Sequence, residues 1–340
     1  MNLVRAELNR FFGRRFILVM VAVILVIFAA IATGFALNTQ RITQETREQA
    51  RAQAAAFEAD IRRQMQEQYN SCVAEQAAGI GKFPTDFNCE EVLAKGTGPL
   101  GISEEQFLPV QFNFLREVGP TLYVAAAILC LFGFVVGASF VGAEWTSGGM
   151  TNLLLWQPRR IPVMLAKLGV GMAGVLTIGV GYFAVWIGVM WTIAVTRGDT
   201  GDPTSGFWQS TALLGVRALV LAMGAAALGF AIASLGRHTA MALGVGIGYA
   251  VVWELGTLIV FQLLRGTFSE RFRLSTYVAA WLTKRVPIYD QFGPCELNPD
   301  GGCYPAEYVI NLPYAASVLS TVLALFVVGA FVAFRRRDVA

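Results

Sequence analysis

Few residues in this chain are of the types that do chemistry, and their spacing excludes most reactions. The sole histidine, His238, stands beside Arg237. One imidazole cannot supply the three or four convergent ligands of a metal site. With no second base or paired carboxylates beside it, no Ser/His/Asp, Cys/His or two-carboxylate arrangement forms. His238 reads as a solvated loop residue, and neither catalytic nor metal-ligating residues are expected. A phosphate-binding loop needs Gly, four residues, then Gly-Lys-Ser/Thr, so that backbone amides cradle phosphate and a hydroxyl holds magnesium. The nearest string, Gly79-Ile80-Gly81-Lys82-Phe83, lacks the first glycine and the hydroxyl. Any ATP hydrolysis must come from another chain.

Two charges sit within long apolar runs. Arg217 lies ten residues from Phe207 and Glu254 ten residues from Leu264, which places both roughly 15 Å inside their runs at 1.5 Å per helical residue. Equal depth on consecutive antiparallel helices predicts an ion pair that makes their burial tolerable. The other reading is that they line a translocation path or relay protons.

Five cysteines complete the reactive set. Cys72 and Cys89 share one inter-run segment, and Cys295 and Cys303 share another, which predicts two disulfides in an oxidising compartment; unpaired thiols are the alternative. Cys130 lies in an apolar run and reads as a small buried hydrophobe.

The elements that hold these residues follow from composition. Of 340 residues, 55% are hydrophobic and 14% charged, with a mean hydropathy of +0.56; soluble domains carry about 25% charged residues. Six runs reach the length of a spanning helix: 16–37, 119–141, 168–195, 207–234, 240–264 and 313–334. The expected fold is therefore an all-α integral membrane protein with six transmembrane helices. The net charge of +3 is too small to argue for nucleic acid. The first run is too long for a signal-peptide core, which spans about 7–15 residues, so it reads as an uncleaved signal anchor. Before it, residues 1–15 place Val4, Leu8, Phe11 and Phe12 at helical spacing among charges, which predicts an interfacial helix.

Short segments set orientation. With the amino terminus inside, the inner segments hold Arg5, Arg10, Arg14, Arg15, Arg159, Arg160, Lys167, Arg237, Arg335, Arg336 and Arg337 against Glu7, Glu144 and Asp338. Both termini are expected to be cytoplasmic. Residues 38–118 then form an extracytoplasmic helical insertion between the first two spans. Its stretch Thr39 to Tyr69, free of Gly and Pro with Phe57, Ile61, Met65 and Tyr69 in i, i+4 register, predicts one long helix. The insertion reads equally as a cap that touches substrate or an envelope partner, or as a structural hairpin. Residues 265–312 combine an aromatic and basic first part, read as an outer interfacial or re-entrant helix, with a Gly- and Pro-rich loop.

Between the second and third spans lies 142–167, GAEWTSGGMTNLLLWQPRRIPVMLAK. Its apolar middle between Glu144 and the closing basic residues predicts a short amphipathic helix at the membrane surface, offered to a cytosolic partner. An ordinary basic loop that only fixes orientation is the plainer reading.

Six spans, the interfacial amino-terminal helix, the segment GAEWTSGGMTNLLLWQPRR, the hairpin-like segment before the sixth span and the terminal FRRRDV together resemble the permease subunits of ABC transporters of the ABC-2 type. The resemblance covers most of 1–37 and 119–340; the insertion departs from the minimal pattern. It implies a bacterial plasma-membrane permease of an ATP-driven exporter, working as a dimer with a second permease copy or homologue around a central path. It also implies a separate ATPase subunit that binds the ATP and magnesium, with no cofactor in this chain. On that resemblance 142–167 is the coupling helix, and Glu144, Trp145, Leu154, Trp156, Arg159 and Arg160 transmit ATPase closure. The weakly charged, apolar path suggests an amphiphilic, lipid-like or drug substrate. Competing readings are a secondary transporter with Glu254 as proton relay, or a non-transporting sensor of envelope stress.

Overall fold

Apolar runs of this length satisfy their backbone groups in hydrocarbon only as helices, and among the described residues six helices long and apolar enough to cross a membrane form. They are α2 Arg15–Asn38, α4 Phe114–Thr146, α6 Arg160–Arg197, α7 Ser205–Gly236, the composite helix Thr239–Leu263, and α11 Leu312–Arg336. The computed structural model describes residues 3–78, 89, 100–157, 159–290, 292–293, 296–297 and 303–336. The chain divides into two units. One comprises Met1–Ala32, Leu115–Met190 and Asp202–Ala340, the other Thr33–Phe114 and Trp191–Gly201.

In the first unit, α1 (Leu3–Phe12) precedes α2, and α5 (Gly149–Trp156) follows α4. The segment expected over 142–167 is thus shorter than its sequence suggests: α4 runs on to Thr146, α6 begins at Arg160, and eight residues form the helix between. The fifth span is α8 (Thr239–Gly248), a π-helical stretch Tyr249–Leu255, then α9 (Gly256–Leu263). His238 is exposed in the loop between α7 and α8, and there its Nδ1 also accepts the Ala240 amide at 3.0 Å and caps α8.

Helices α4 and α7 meet through small residues. Gly133 and Gly137 lie one turn apart on α4, and a Cβ on either would fall on the carbonyl of Ala222 or Ala226. Small-xxx-small spacing exists for such backbone approach, since apolar helices in lipid gain nothing from burying surface away from water. The fifth span, by contrast, buries none of its apolar window within the chain.

Between the fifth and sixth spans lie a 3-10 turn Ser269–Phe272 and α10 (Leu274–Thr283). The Gly- and Pro-rich stretch that reads as loop instead pairs as an antiparallel hairpin. Strand β1 (Arg285–Tyr289) aligns with β4 (Glu307–Asn311), and β2 (Glu296–Leu297) with β3 (Cys303–Tyr304). Alternation places Ile288 and Ile310 inward against Tyr277, Ala280 and Ala315. That packing, with hydrogen bonds across the ladder, outweighs the turn-forming composition.

The second unit contains α3 (Gln44–Ala78) and a 3-10 turn Glu104–Phe107 packed on it through Phe57 against Phe107. The helix begins later and ends later than the expected 39–69. Cys72 and Cys89 are joined by a disulfide, their Cα atoms 5.9 Å apart. Asn113 and Asp199 form a bridge, with Phe114 N–H donating to Asp199 O at 2.9 Å and Asp199 N–H to Phe112 O at 2.8 Å. The second expected pair includes Cys295, which lies outside the described residues.

Candidate coupling site

Local pattern places Glu7 and Phe11 four residues apart, hence on one face of α1, and that face turns inward. Glu7 is 1% exposed and Phe11 wholly buried. Phe11 packs edge-on against Phe140 of α4, with ring centroids 5.3 Å apart, and lies so close to α6 that a Cβ at Gly174 would collide with its ring. This contact brings Glu7 to the start of α6.

There it meets Lys167, whose side chain is 0% exposed. The Lys167 Nζ lies 2.8 Å from Glu7 Oε2 and 2.6 Å from Glu144 Oε2. Arg14, at the turn between α1 and α2, donates from Nη2 to Glu144 Oε1 at 2.6 Å, and from Nη1 to the Phe140 and Ser139 carbonyls at 2.9 and 3.3 Å. Arg10 closes the chain of charges on Glu7 Oε1 at 3.2 Å. The Phe140 ring supports both cations, with the Arg14 guanidinium 4.8 Å and the Lys167 ammonium 5.6 Å from its centroid. Charges can be buried in this way only when paired and hydrogen-bonded. The knot ties α1, the end of α4 and the start of α6 together.

Glu144 was expected to face a partner; it is buried at 8% exposure and faces inward to this knot. Trp145 also turns inward, edge-on to Phe334 of α11 at 5.9 Å and beneath the Arg237 guanidinium at 5.0 Å. On α5, Met150 is buried and Leu154 half-buried against Phe230, Ala231 and Phe334. The opposite face is open, with Leu155 79% exposed and Asn152 exposed beside it, and Gln157 and Arg159 are exposed just beyond the end of α5. Arg160 is half-buried at the start of α6, and Trp156 closes α5. The sequence reading missed Glu7, Arg14 and Lys167 as a set, having counted them as orientation charges. No local signal marks the set, because Lys167 lies just outside the apolar run 168–195 and its partners are distant in sequence.

The structure does not bring Arg217 and Glu254 together. Arg217 Nε donates to Leu213 O at 3.2 Å, one turn back on its own helix, and its carbonyl accepts from Trp281 Nε1 at 2.9 Å. Glu254 instead closes the amino end of α10. It accepts from Ser275 N at 3.0 Å, from Ser275 Oγ at 2.6 Å and from Tyr249 Oη at 2.9 Å, with Arg273 Nε at 3.5 Å. Tyr249 Oη in turn accepts the Leu274 amide at 3.0 Å. Helix α10 lies against both residues, taking the Glu254 carboxylate at Ser275 and the Arg217 carbonyl at Trp281.

Two cavities flank α10. One of about 740 Å³ is lined by residues of α4, α7, the fifth span, the 3-10 turn, α10 and α11, among them Phe134, Ile247, Tyr249, Ala250 and Arg271. The other, about 470 Å³, is lined by Val220, Leu221, Val278, Trp281 and Leu323 among others, and shares Leu228, Leu274 and Val322 with the first. Among the described residues no three His, Cys, Asp or Glu side chains converge as metal ligands do. The arrangement positions helices and offers apolar space.

A family model described as ABC-2 family transporter protein matches residues 1–339. No curated protein matches the chain.

Proposed function

The chain belongs to the ABC-2 family of transporter proteins, a component of membrane transport, and from that premise we propose how it works. It serves as the permease of an ATP-driven exporter, paired with a second permease and driven by a separate ATPase that binds ATP and magnesium. Both termini and α5 face the cytosol. The ATPase docks on the open face of α5 around Leu155, Gln157 and Arg159. Glu144, Trp145 and Leu154 act behind that surface and carry its movement inward.

The observation that supports this reading best is Lys167 held between Glu7 and Glu144. A push on α5 reaches the end of α4 directly. The buried charges then oblige α1 and α6 to follow, because separating them strands a charge in a dry site. Hydrolysis can shift the permease only if the ATPase binds its two conformations with different free energies, and a stiff joint preserves that difference along the chain. The 470 Å³ cavity with its apolar wall supports an amphiphilic or lipid-like cargo. The proton-relay alternative is weakened by the engagement of Glu254 with Arg273, Ser275 and Tyr249.

The test is purification of the tagged chain from its native membrane, with vanadate-sensitive ATPase activity read in the eluate. Wild type is expected to retain an ATPase, Leu155→Glu to lose it, and Glu144→Arg to retain it with altered activity. An eluate without ATPase, or one indifferent to both changes, would end the exporter reading.

A further inference from the structure

We propose that the 740 Å³ cavity beside α10 is a binding site for an anionic phospholipid, one acyl chain lying in the cavity and the phosphate held by Arg271. This goes beyond the exporter reading and stands or falls without the ATPase.

Three observations carry it. The first is the wall. Leu131, Phe134, Leu228, Ile247, Val322 and Phe326 line an open apolar groove that matches the chemistry of an acyl chain. The volume falls within the range of ordinary ligand pockets, about 300–1,000 Å³. The second is the surrounding medium: the wall belongs to four helices long and apolar enough to cross a bilayer, so the abundant apolar molecule at its mouth is lipid.

The third is charge. Arg271 lines the same cavity, where the spanning segments give way to the turn before α10. Two neighbouring bases are compensated, Arg273 by Glu254 and Arg285 by Glu307, and Arg271 is the base that lines the cavity. Among the described residues no carboxylate lies within ion-pair distance of Arg271, whose guanidinium rests 4.7 Å from the Phe272 ring centroid. A guanidinium prefers a bidentate oxyanion, and a phosphate matches its fork. Free phosphate would meet the cation but leave the apolar wall bare; a zwitterionic lipid would bring an opposing ammonium. An anionic phospholipid satisfies both ends at once.

The experiment places the purified chain in phosphatidylcholine nanodiscs doped with phosphatidylglycerol that carries a photoactivatable diazirine in its acyl chain. Adducts are mapped by mass spectrometry. Labelling is expected on Leu243–Ala250 and on 318–326, and unlabelled phosphatidylglycerol should compete it away while inorganic phosphate does not. Arg271→Gln should lower the yield about tenfold, the loss of one charge-assisted contact. Ala250→Trp, which fills the cavity from an exposed position, should abolish labelling there with an unchanged elution profile and thermal transition. Equal labelling by a diazirine phosphatidylcholine would overturn the headgroup assignment. Absence of label from the cavity in wild type, or crosslinks to a second copy in its place, would overturn the site, and neither result depends on a variant folding.

Discussion

Lys167 and Glu7 are 160 residues apart in the chain and 2.8 Å apart in space, both shielded from solvent. Breaking a buried pair by removing one member typically costs about 3–5 kcal/mol, because the other charge is left uncompensated. Lys167→Met should therefore lower the thermal stability of the purified chain steeply. Adding Glu7→Gln should recover most of the loss, since Glu144 keeps Arg14. If the double variant proves no better than the single one, the knot is not what holds α1 in place.

The partner assignment of Glu254 is open to a thermodynamic cycle. Contacting residues couple by about 0.5–3 kcal/mol, whereas separate sites add within about 0.3–0.5 kcal/mol. Glu254→Leu with Arg273→Leu should show coupling; Glu254→Leu with Arg217→Leu should be additive. Coupling in the second cycle instead of the first would restore the pair that equal depth suggested.

Loss of the Glu254 carboxylate also frees the Ser275 amide that it caps. Removing a cap costs about 0.5–2 kcal/mol, so amide exchange at the start of α10 should quicken in Glu254→Leu while exchange in α4 and α7 stays as it was. Uniform quickening across the chain would mean that Glu254 stabilises more than α10.

Gly137→Leu should be poorly tolerated, since its side chain would have to enter the Ala226 backbone. Overpacking of this kind costs about 1–3 kcal/mol. A stable, correctly eluting Gly137→Leu protein would show that α4 and α7 do not pack this closely.

In the second unit Arg51 hydrogen-bonds Glu104 and holds its carboxyl below the ordinary value of 4.5. A depressed folded-state value stabilises the contact above the unfolded value, and that contribution is lost as pH falls through the folded one. Acidification below about pH 4 should therefore loosen the 3-10 turn from α3, read as faster exchange at Glu104–Phe107. In Glu104→Gln that pH dependence should vanish.

How much of this was legible in the sequence differs from residue to residue. The six spans were, because hydropathy is a local sum, and the structure extends most of them by a few residues at ends where charged side chains reach away from the apolar core. The disulfide Cys72–Cys89 was also legible from spacing and segment. The third span was misjudged most, by eight residues, since Lys167 looks like a boundary until Glu7 and Glu144 are seen to neutralise it. Nothing local in residues 1–15 announces that Glu7 will face α6. The segment before the sixth span was legible as hairpin-like, but not its strands: Pro287 and its neighbours favour loop, and strand pairing is decided by a segment some twenty residues away.

The π-helical stretch Tyr249–Leu255 has a consequence for how the fifth span can be read by anything beside it. A turn that reaches one residue farther sets every later side chain back by one position, about 100° around the axis. Residues before and after the stretch therefore answer to different phases, and a straight neighbour aligned with Gly244 and Gly248 loses register with the face of Gly256. Glu254 sits inside this slip, turned to where α10 can take it. A single-residue deletion there would restore an even pitch and rotate the lower half of the helix, leaving its composition almost unchanged while the address written on its surface becomes a different one.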